Sequence, residues 1–246
     1  MNIFSSNYIS RQPIDKAMRN FGKQFSADQK VLDIGCGTKP YKNCFKCEYI
    51  GVDTLPALKP DITADAWDIP LPNQQFDGIV LNQSLEHIAM TDATIKEIYR
   101  LLRPGGLVII TVPHSMKTHA SASPSSSAPV HNFDTQDHPI WRVDYYRFTK
   151  FGLIYAFRDF QTVSIKETSG YIGTLFQLIN YFFASLGPNW LFAPMYFVNN
   201  LLGLSFDSLC DWIATFPIPL AKKFHQYTYM SLPINYVCIF KKPTTS

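Results

Sequence analysis

The stretch VLDIGCG at residues 31–37 decides how the rest of the chain is read. Val31 to Ile34 is a short apolar run of the length of a buried strand, and Gly35 and Gly37 let the backbone turn sharply and approach a ligand with no Cβ in the way. A bare G-x-G suits any tight strand-to-helix turn, so the neighbouring acids carry the argument. Asp53 closes a second apolar run, Tyr49 to Asp53, and stands 20 residues beyond Asp33, where a carboxylate can take both hydroxyls of a ribose. Asp65 lies at the end of a third, weaker run, Ile62 to Ala66. Three acidic residues at the carboxyl ends of adjacent strands fit a nucleoside lying across the point where the strand order reverses.

The same residues narrow the nucleoside. A dinucleotide fingerprint needs a glycine where Pro40 stands, and no Gly-Lys-Ser/Thr helix start follows to cradle a phosphate. Asp33 would repel a pyrophosphate and attract a cation. A ligand with adenosine and a positive charge but no phosphate is S-adenosylmethionine.

Outward from this turn the chain alternates strand and helix. Pro13 suits the first turn of an N-terminal helix carrying Ile14, Met18, Phe21 and Phe25 at helical spacing. Phe76 to Leu81 reads as strand four, Ile95, Ile98 and Leu102 as one helical face stopped by Pro104-Gly105-Gly106, and Leu107 to Val112 as strand five. A helix restarts after Thr149 with Phe151, Leu153, Ile154 and Phe157 inward; Thr162 to Lys166 and Ile234 to Phe240 read as strands six and seven. The expectation is an α/β fold with a doubly wound, seven-stranded, mostly parallel sheet and a helical insertion before the last strand.

VLDIGCGTKPY, YIGVD, TADAWDIPLP, FDGIVLNQSLEHI and EIYRLLRPGGLVIITVP, in this order through residues 31–113, together resemble a class I S-adenosylmethionine-dependent methyltransferase of the bacterial small-molecule, lipid or glycan type, and DYYRFTKFGL (144–153) is similar to a downstream segment of one bacterial branch. The resemblance implies Asp33, Gly35, Cys36 and Gly37 around the methionine end, Asp53 with Thr54 at the ribose, Asp65 and Ala66 beside the adenine, and Asn82 and Gln83 after strand four. One departure touches the turn: the third glycine of the usual G-x-G-x-G is Lys39.

Methyl transfer from a sulfonium is an in-line displacement in which alignment and water exclusion do much of the work, and an oxygen nucleophile also needs deprotonation. His114, just after strand five, is the first candidate base and His87 the second. Residues 114–148 read as a lid loop. Tyr145 and Arg147 read as packing and a salt bridge that anchor the following helix. No metal-ligand constellation is expected: the lone Cys44-x-x-Cys47 has no second pair at zinc spacing.

Charge is distributed unevenly. Residues 1–150 hold 31 of the 41 Asp, Glu, Lys and Arg, and none occurs in the 39 residues from Thr168 to Phe206. The net charge of +3 and the lack of a basic stripe argue against a nucleic-acid partner. The chain is read as a methyltransferase core, 1–168 and 232–246, with an apolar insertion at 169–231 built of three short helices, about 171–186, 193–203 and 206–215. Three readings of that insertion stand side by side: a helical cap with its own core, a greasy substrate tunnel or homodimer face, and a hairpin resting on a membrane through 171–215 with Lys222, Lys223, Lys241 and Lys242 near headgroups. The odd count of five cysteines and a polar start point to a cytoplasmic protein, including the inner face of a membrane. The expected function is methylation of a small hydrophobic or lipid- or glycan-linked acceptor; the alternative is a non-catalytic, membrane-associated protein that binds S-adenosylmethionine.

Overall fold

The computed structural model describes residues 2–116, 144–216, 219, 223 and 232–244. Its elements run α1 (Tyr8–Gly22), β1 (Lys30–Ile34), β2 (Glu48–Asp53), β3 (Ile62–Thr63), β4 (Phe76–Asn82), α2 (Thr91–Leu101), β5 (Leu102–Pro113), α3 (Lys150–Ala156), β6 (Gln161–Glu167), α4 (Tyr171–Leu186), α5 (Ala193–Ala214) and β7 (Asn235–Lys241), with a short 3₁₀ turn at Leu85–His87. The sheet has seven strands in the order β3-β2-β1-β4-β5-β7-β6. Strands β1 to β5 pair in parallel, with Leu32 opposite both Ile50 and Ile79. β7 runs against β5, since Gly105 N–H donates to Lys242 O (3.0 Å) at one end and His114 N–H to Ile234 O (2.9 Å) at the other. The order reverses between β1 and β4, which places the switch point of the sheet at their carboxyl ends. These two strands are apolar almost throughout because both faces of the sheet are covered: Val31, Leu32, Ile34, Ile79, Val80 and Leu81 have no exposed surface.

The chain packs as two compact units. One comprises Phe21–Val112, Lys117–Ser164 and Cys238–Ser246; the other comprises Met1–Asn20, Pro113–Met116 and Ile165–Val237. In the second, helical unit, α4 and α5 form an antiparallel hairpin. Asp207 of α5 accepts the N–H groups of Gly170 and Gly173 at the start of α4 (2.9 and 3.2 Å), and Asn180 Nδ2 donates to Asn200 Oδ1 midway (2.9 Å). The helices cross closely: a Cβ on Gly173 would lie 2.1 Å from Asp207 Oδ2, and one on Gly203 3.3 Å from Gly173 Cα.

Several expectations are corrected. Pro13 lies inside α1, not in its first turn; burial of Ile9, Ile14, Met18 and Phe21 along one face carries the helix past the missing N–H. The third strand stops at Thr63, so Asp65 lies beyond it. β5 begins at Leu102 and takes in Pro104-Gly105-Gly106, absorbing them with a register shift against β4. Leu153 of α3 and Phe157 just after it are buried, but Phe151 is 79% exposed and Ile154 is also outward. The second and third insertion helices are one, α5, because Gly203 serves close helix packing and no proline follows to end the helix. Lys242 is no headgroup ligand: its Nζ donates to Tyr99 O and Leu102 O (2.7 and 2.9 Å). Most of the lid segment, 117–143, lies outside the described residues, as does Lys222.

Candidate functional site

The turn after β1 is held by β2. Gly35 and Cys36 N–H both donate to Val52 O (2.9 and 3.0 Å), Gly37 N–H donates to Asp53 Oδ2 (2.9 Å), and Leu55 N–H to Asp53 Oδ1 (3.0 Å). Gly35 and Gly37 have φ of +69° and +52°, the region glycine adopts without steric cost. Their surroundings differ. A Cβ on Gly35 would lie 2.5 Å from Ser84 Oγ, whereas one on Gly37 would meet nothing within 4 Å. Gly35 is bare to let β4's end close in, and Gly37 is bare beside open space. Lys39, where the third glycine of the pattern would stand, keeps a left-handed φ of +56° and donates from Nζ to Asp61 Oδ1 (2.8 Å), while Asp61 Oδ2 accepts Gly51 N–H (2.7 Å). The turn geometry therefore survives the loss of that glycine.

Asp33 is buried below the turn and accepts the Tyr49 hydroxyl (2.5 Å). Burial pushes its carboxyl up to about 7, the Tyr49 hydrogen bond works against that, and the Asp53 charge adds to it. Burial, reinforced by Asp33 and Asp53, also pushes the Cys36 thiol up to about 12, so it is an inert packing group. Asp65 pairs with Asp68 across an isolated antiparallel bridge enclosing buried Ala66, and Thr54 follows Asp53, half-buried. At the end of β4, Asn82 Oδ1 accepts Thr111 Oγ1 (2.7 Å), and Gln83, at φ +50°, donates its N–H to Thr111 O (2.9 Å). Ser84 Oγ donates to Asn82 O (3.0 Å) and reaches Gly35 O (3.3 Å), tying the two sides of the switch point together.

Sequence reasoning passed over Glu86. It has no exposed surface, and neither carboxyl oxygen has a hydrogen-bond partner among the described residues. Its carbonyl accepts Tyr145 N–H (2.8 Å) and Tyr146 N–H (3.3 Å). Burial first, then the Asp144 charge, pushes the carboxyl up to about 8, against the pull of Arg147. His87 Nε2 lies 3.8 Å from Glu86 Oε1, beyond hydrogen-bond distance. The signal was a lone acid between apolar Leu85 and Ile88, directly after a buried strand. Arg147 forms a bidentate pair with Asp144, the anchoring role expected of it. His114 belongs to the helical unit, where its ring meets that of Tyr236 edge-on at 5.3 Å, whereas His87 and the ten expected cofactor residues belong to the other unit.

Residues 6–163, well over half of the chain, match the model of a family described as a methyltransferase domain. The chain belongs to that family. Among curated relatives it is 40% identical over 119 residues to the demethylmenaquinone methyltransferase of Symbiobacterium thermophilum (39% of this chain, 47% of that one). It is 27% identical over 118 residues to the malonyl-[acyl-carrier protein] O-methyltransferase of Enterobacter lignolyticus (43% and 46%). The chain thus spans about half the length of the curated relatives it matches. Solved structures similar in fold include phosphoethanolamine N-methyltransferase 2 of Haemonchus contortus in complex with S-adenosyl-L-methionine (TM-score 0.52, 18% identity, 98% of this chain and 56% of that one). Geranyl diphosphate C-methyltransferase of Streptomyces coelicolor A3(2) is another (TM-score 0.52, 11% identity, 92% and 76%). Among the described residues, no helix is long and apolar enough to cross a membrane.

Proposed function

We propose that the protein is an S-adenosylmethionine-dependent methyltransferase acting on a small hydrophobic or lipid-linked acceptor. One observation carries the cofactor reading: at the switch point, a left-handed glycine with open space where a Cβ would be stands beside the Asp53 carboxylate and above buried Asp33. When bound, the cofactor supplies an electrophilic methyl group on a sulfonium. Gly35, Cys36 and Gly37 hold its methionine end with Asn82 and Gln83, Asp53 and Thr54 hold the ribose, and Asp65 and Ala66 flank the adenine. Asp33 answers the positive charge of the ligand by ionising.

A half-open groove of about 460 Å³, in which Ala89, Met90, Ala93, Tyr146, Phe148 and Ala156 stand beside the polar Thr91 and Asp92, supports a largely apolar acceptor with a polar end. The names of the demethylmenaquinone and geranyl diphosphate enzymes point the same way. His87, beside the buried Glu86 at the end of the switch-point loop, takes the acceptor's proton. His114, the first candidate from the sequence, remains the other proposed base; its ring lies edge-on to Tyr236.

Isothermal titration with S-adenosylmethionine, S-adenosylhomocysteine and NAD tests the cofactor: the first two bind, and binding of NAD alone refutes the reading. Transfer of radiolabelled methyl from S-adenosylmethionine to reduced demethylmenaquinone, against a polar glycan acceptor, tests the acceptor class. Label only in the glycan refutes a hydrophobic acceptor.

A further inference from the structure

The α4–α5 hairpin is turned inside out. On α4 the buried positions are Gly173, Thr174, Gln177 and Asn180; on α5 they include Asn199, Asn200, Gly203 and Asp207. The amides satisfy one another and the N-terminal arm. Asn199 Nδ2 donates to Asn180 Oδ1 (2.9 Å), Asn200 Nδ2 to Ile3 O and Ser5 O (2.6 and 3.0 Å), and Gln177 Nε2 to Ser6 O (2.6 Å) while its Oε1 accepts Ser10 N–H (3.1 Å). Thr174 Oγ1 donates to Leu232 O (2.6 Å). Gln177, Asn180, Asn199 and Asn200, which interrupt the apolar run within the helices, therefore lie on the inner side, while Asn189 is exposed at the turn between them.

The outer side is the reverse. Leu175, Phe182, Leu201, Phe206, Leu209 and Trp212 are each at least 45% exposed, and no charged side chain occurs from Thr168 to Phe206. Asp211, one turn beyond Asp207 on α5, is exposed and stands at the edge of this face beside Trp212. Trp190 marks the turn of the hairpin and Trp212 its far end, and each is more than half exposed.

We propose that this hairpin seats its outer face in the surface of a lipid bilayer, lying in the interface without crossing it. A water-soluble face carries its polar groups outward, and a protein–protein face keeps a polar, hydrogen-bonding rim. This one has its helix amides turned in and satisfied by one another and by the arm, and its outward side is mostly hydrocarbon and indole with a few small hydroxyls (Ser185, Ser205, Ser208), which suits a medium poor in hydrogen-bonding partners. Indoles at both ends of the hairpin suit the headgroup level. Neither helix is long and apolar enough to span. With no cation in the run, insertion is hydrophobic and does not depend on anionic lipid. The inference is independent of methyl transfer.

The test is flotation of the full-length protein with vesicles of phosphatidylcholine alone, and with added phosphatidylglycerol, at low and high salt. The protein floats with both at either salt, and L201S/F206S/W212S lowers the bound fraction at least about tenfold. The triple variant keeps its circular dichroism spectrum and its affinity for S-adenosylhomocysteine. In the wild type, brominated phosphatidylcholine quenches tryptophan emission, and W212F loses part of that quenching. Failure to float with pure phosphatidylcholine, flotation that needs phosphatidylglycerol and vanishes in salt, or a dimer in light scattering that the triple variant splits would each overturn the proposal.

Discussion

The two units bury opposite kinds of side chain. In the strand-rich unit, valine, leucine and isoleucine fill the sheet core and the polar groups gather at the switch point. In the helical unit, amides fill the inside of the hairpin and leucine, phenylalanine and tryptophan stand outside. The difference teaches that polarity alone does not say which way a residue points; the available partners do. An asparagine goes inward when an arm such as Ile3–Ser10 brings carbonyls to meet it, because a buried amide that is fully hydrogen-bonded costs little and an unpaired one costs much.

The sharpest way to break this comparison is at neighbouring residues of α5. N200L strips the partner from Asn180 Nδ2 and from Ile3 O and Ser5 O. At about 1–3 kcal/mol for the buried Asn180 amide left unpaired, and less for the half-buried Ile3 and Ser5 carbonyls, it lowers stability by about 1–3 kcal/mol, a fall in Tm of about 2–12 °C. L201S, one residue on and exposed, stays within about 0.5 kcal/mol of wild type in the same thermal melt. Equal losses from the two would erase the inside-out assignment.

Next in size is D53A. It removes the acceptor of Gly37 N–H and Leu55 N–H, and titration with S-adenosylhomocysteine should read an affinity about 10- to 100-fold weaker. The hairpin variants should leave that affinity unchanged, so the two regions separate in one assay.

The pH dependence is smaller. Asp33, pushed up to about 7, holds in the native state a proton that the unfolded chain has already released. Its contribution to stability therefore falls as pH rises from about 4 to 7 and is constant above. Glu86, pushed up to about 8, acts with the same sign over a window ending near 8. D33N and E86Q should each flatten the decline in urea midpoint across their own window. In the wild type, S-adenosylhomocysteine, with its cationic amino group, should bind more tightly as pH rises to about 7; D33N should abolish that rise.

The smallest effect is K39G. Glycine relieves a left-handed residue by roughly 1 kcal/mol, and loss of the ion pair with Asp61, worth up to about 1 kcal/mol, offsets it. The unfolding free energy read from urea melts should change by less than about 1 kcal/mol in either direction.

The strand-rich unit was largely legible because its signals are local. An apolar run ending in glycine, an acid at the next strand's end and a β-branched run before Pro113 each name an element within a few residues. The course of β5 through Pro104-Gly105-Gly106 was not, since pairing with β4 and β7 overrides the breaker signal there. Nor was the hairpin. Asn180 and Asn200 read as interruptions of a greasy run because their partners lie 20 residues away in each other and nearly the whole chain away in the N-terminal arm. Glu86 escaped for a related reason: its weight lies in what surrounds it, and a single acid after a strand carries no period.

The arm's hydrogen bonds have one more consequence. Ser10 O waits for Asn235, 225 residues later, Ile3 O for Asn200, 197 later, and Ser6 O for Gln177, 171 later. Residues 3–10 thus find their place only when partners some 170 to 225 residues further along the chain are present. The parallel strands β1 to β5 can pair while residues 3–10 still lack Gln177, Asn200 and Asn235. Formation of the helical unit is in effect a check that synthesis has passed Asn235.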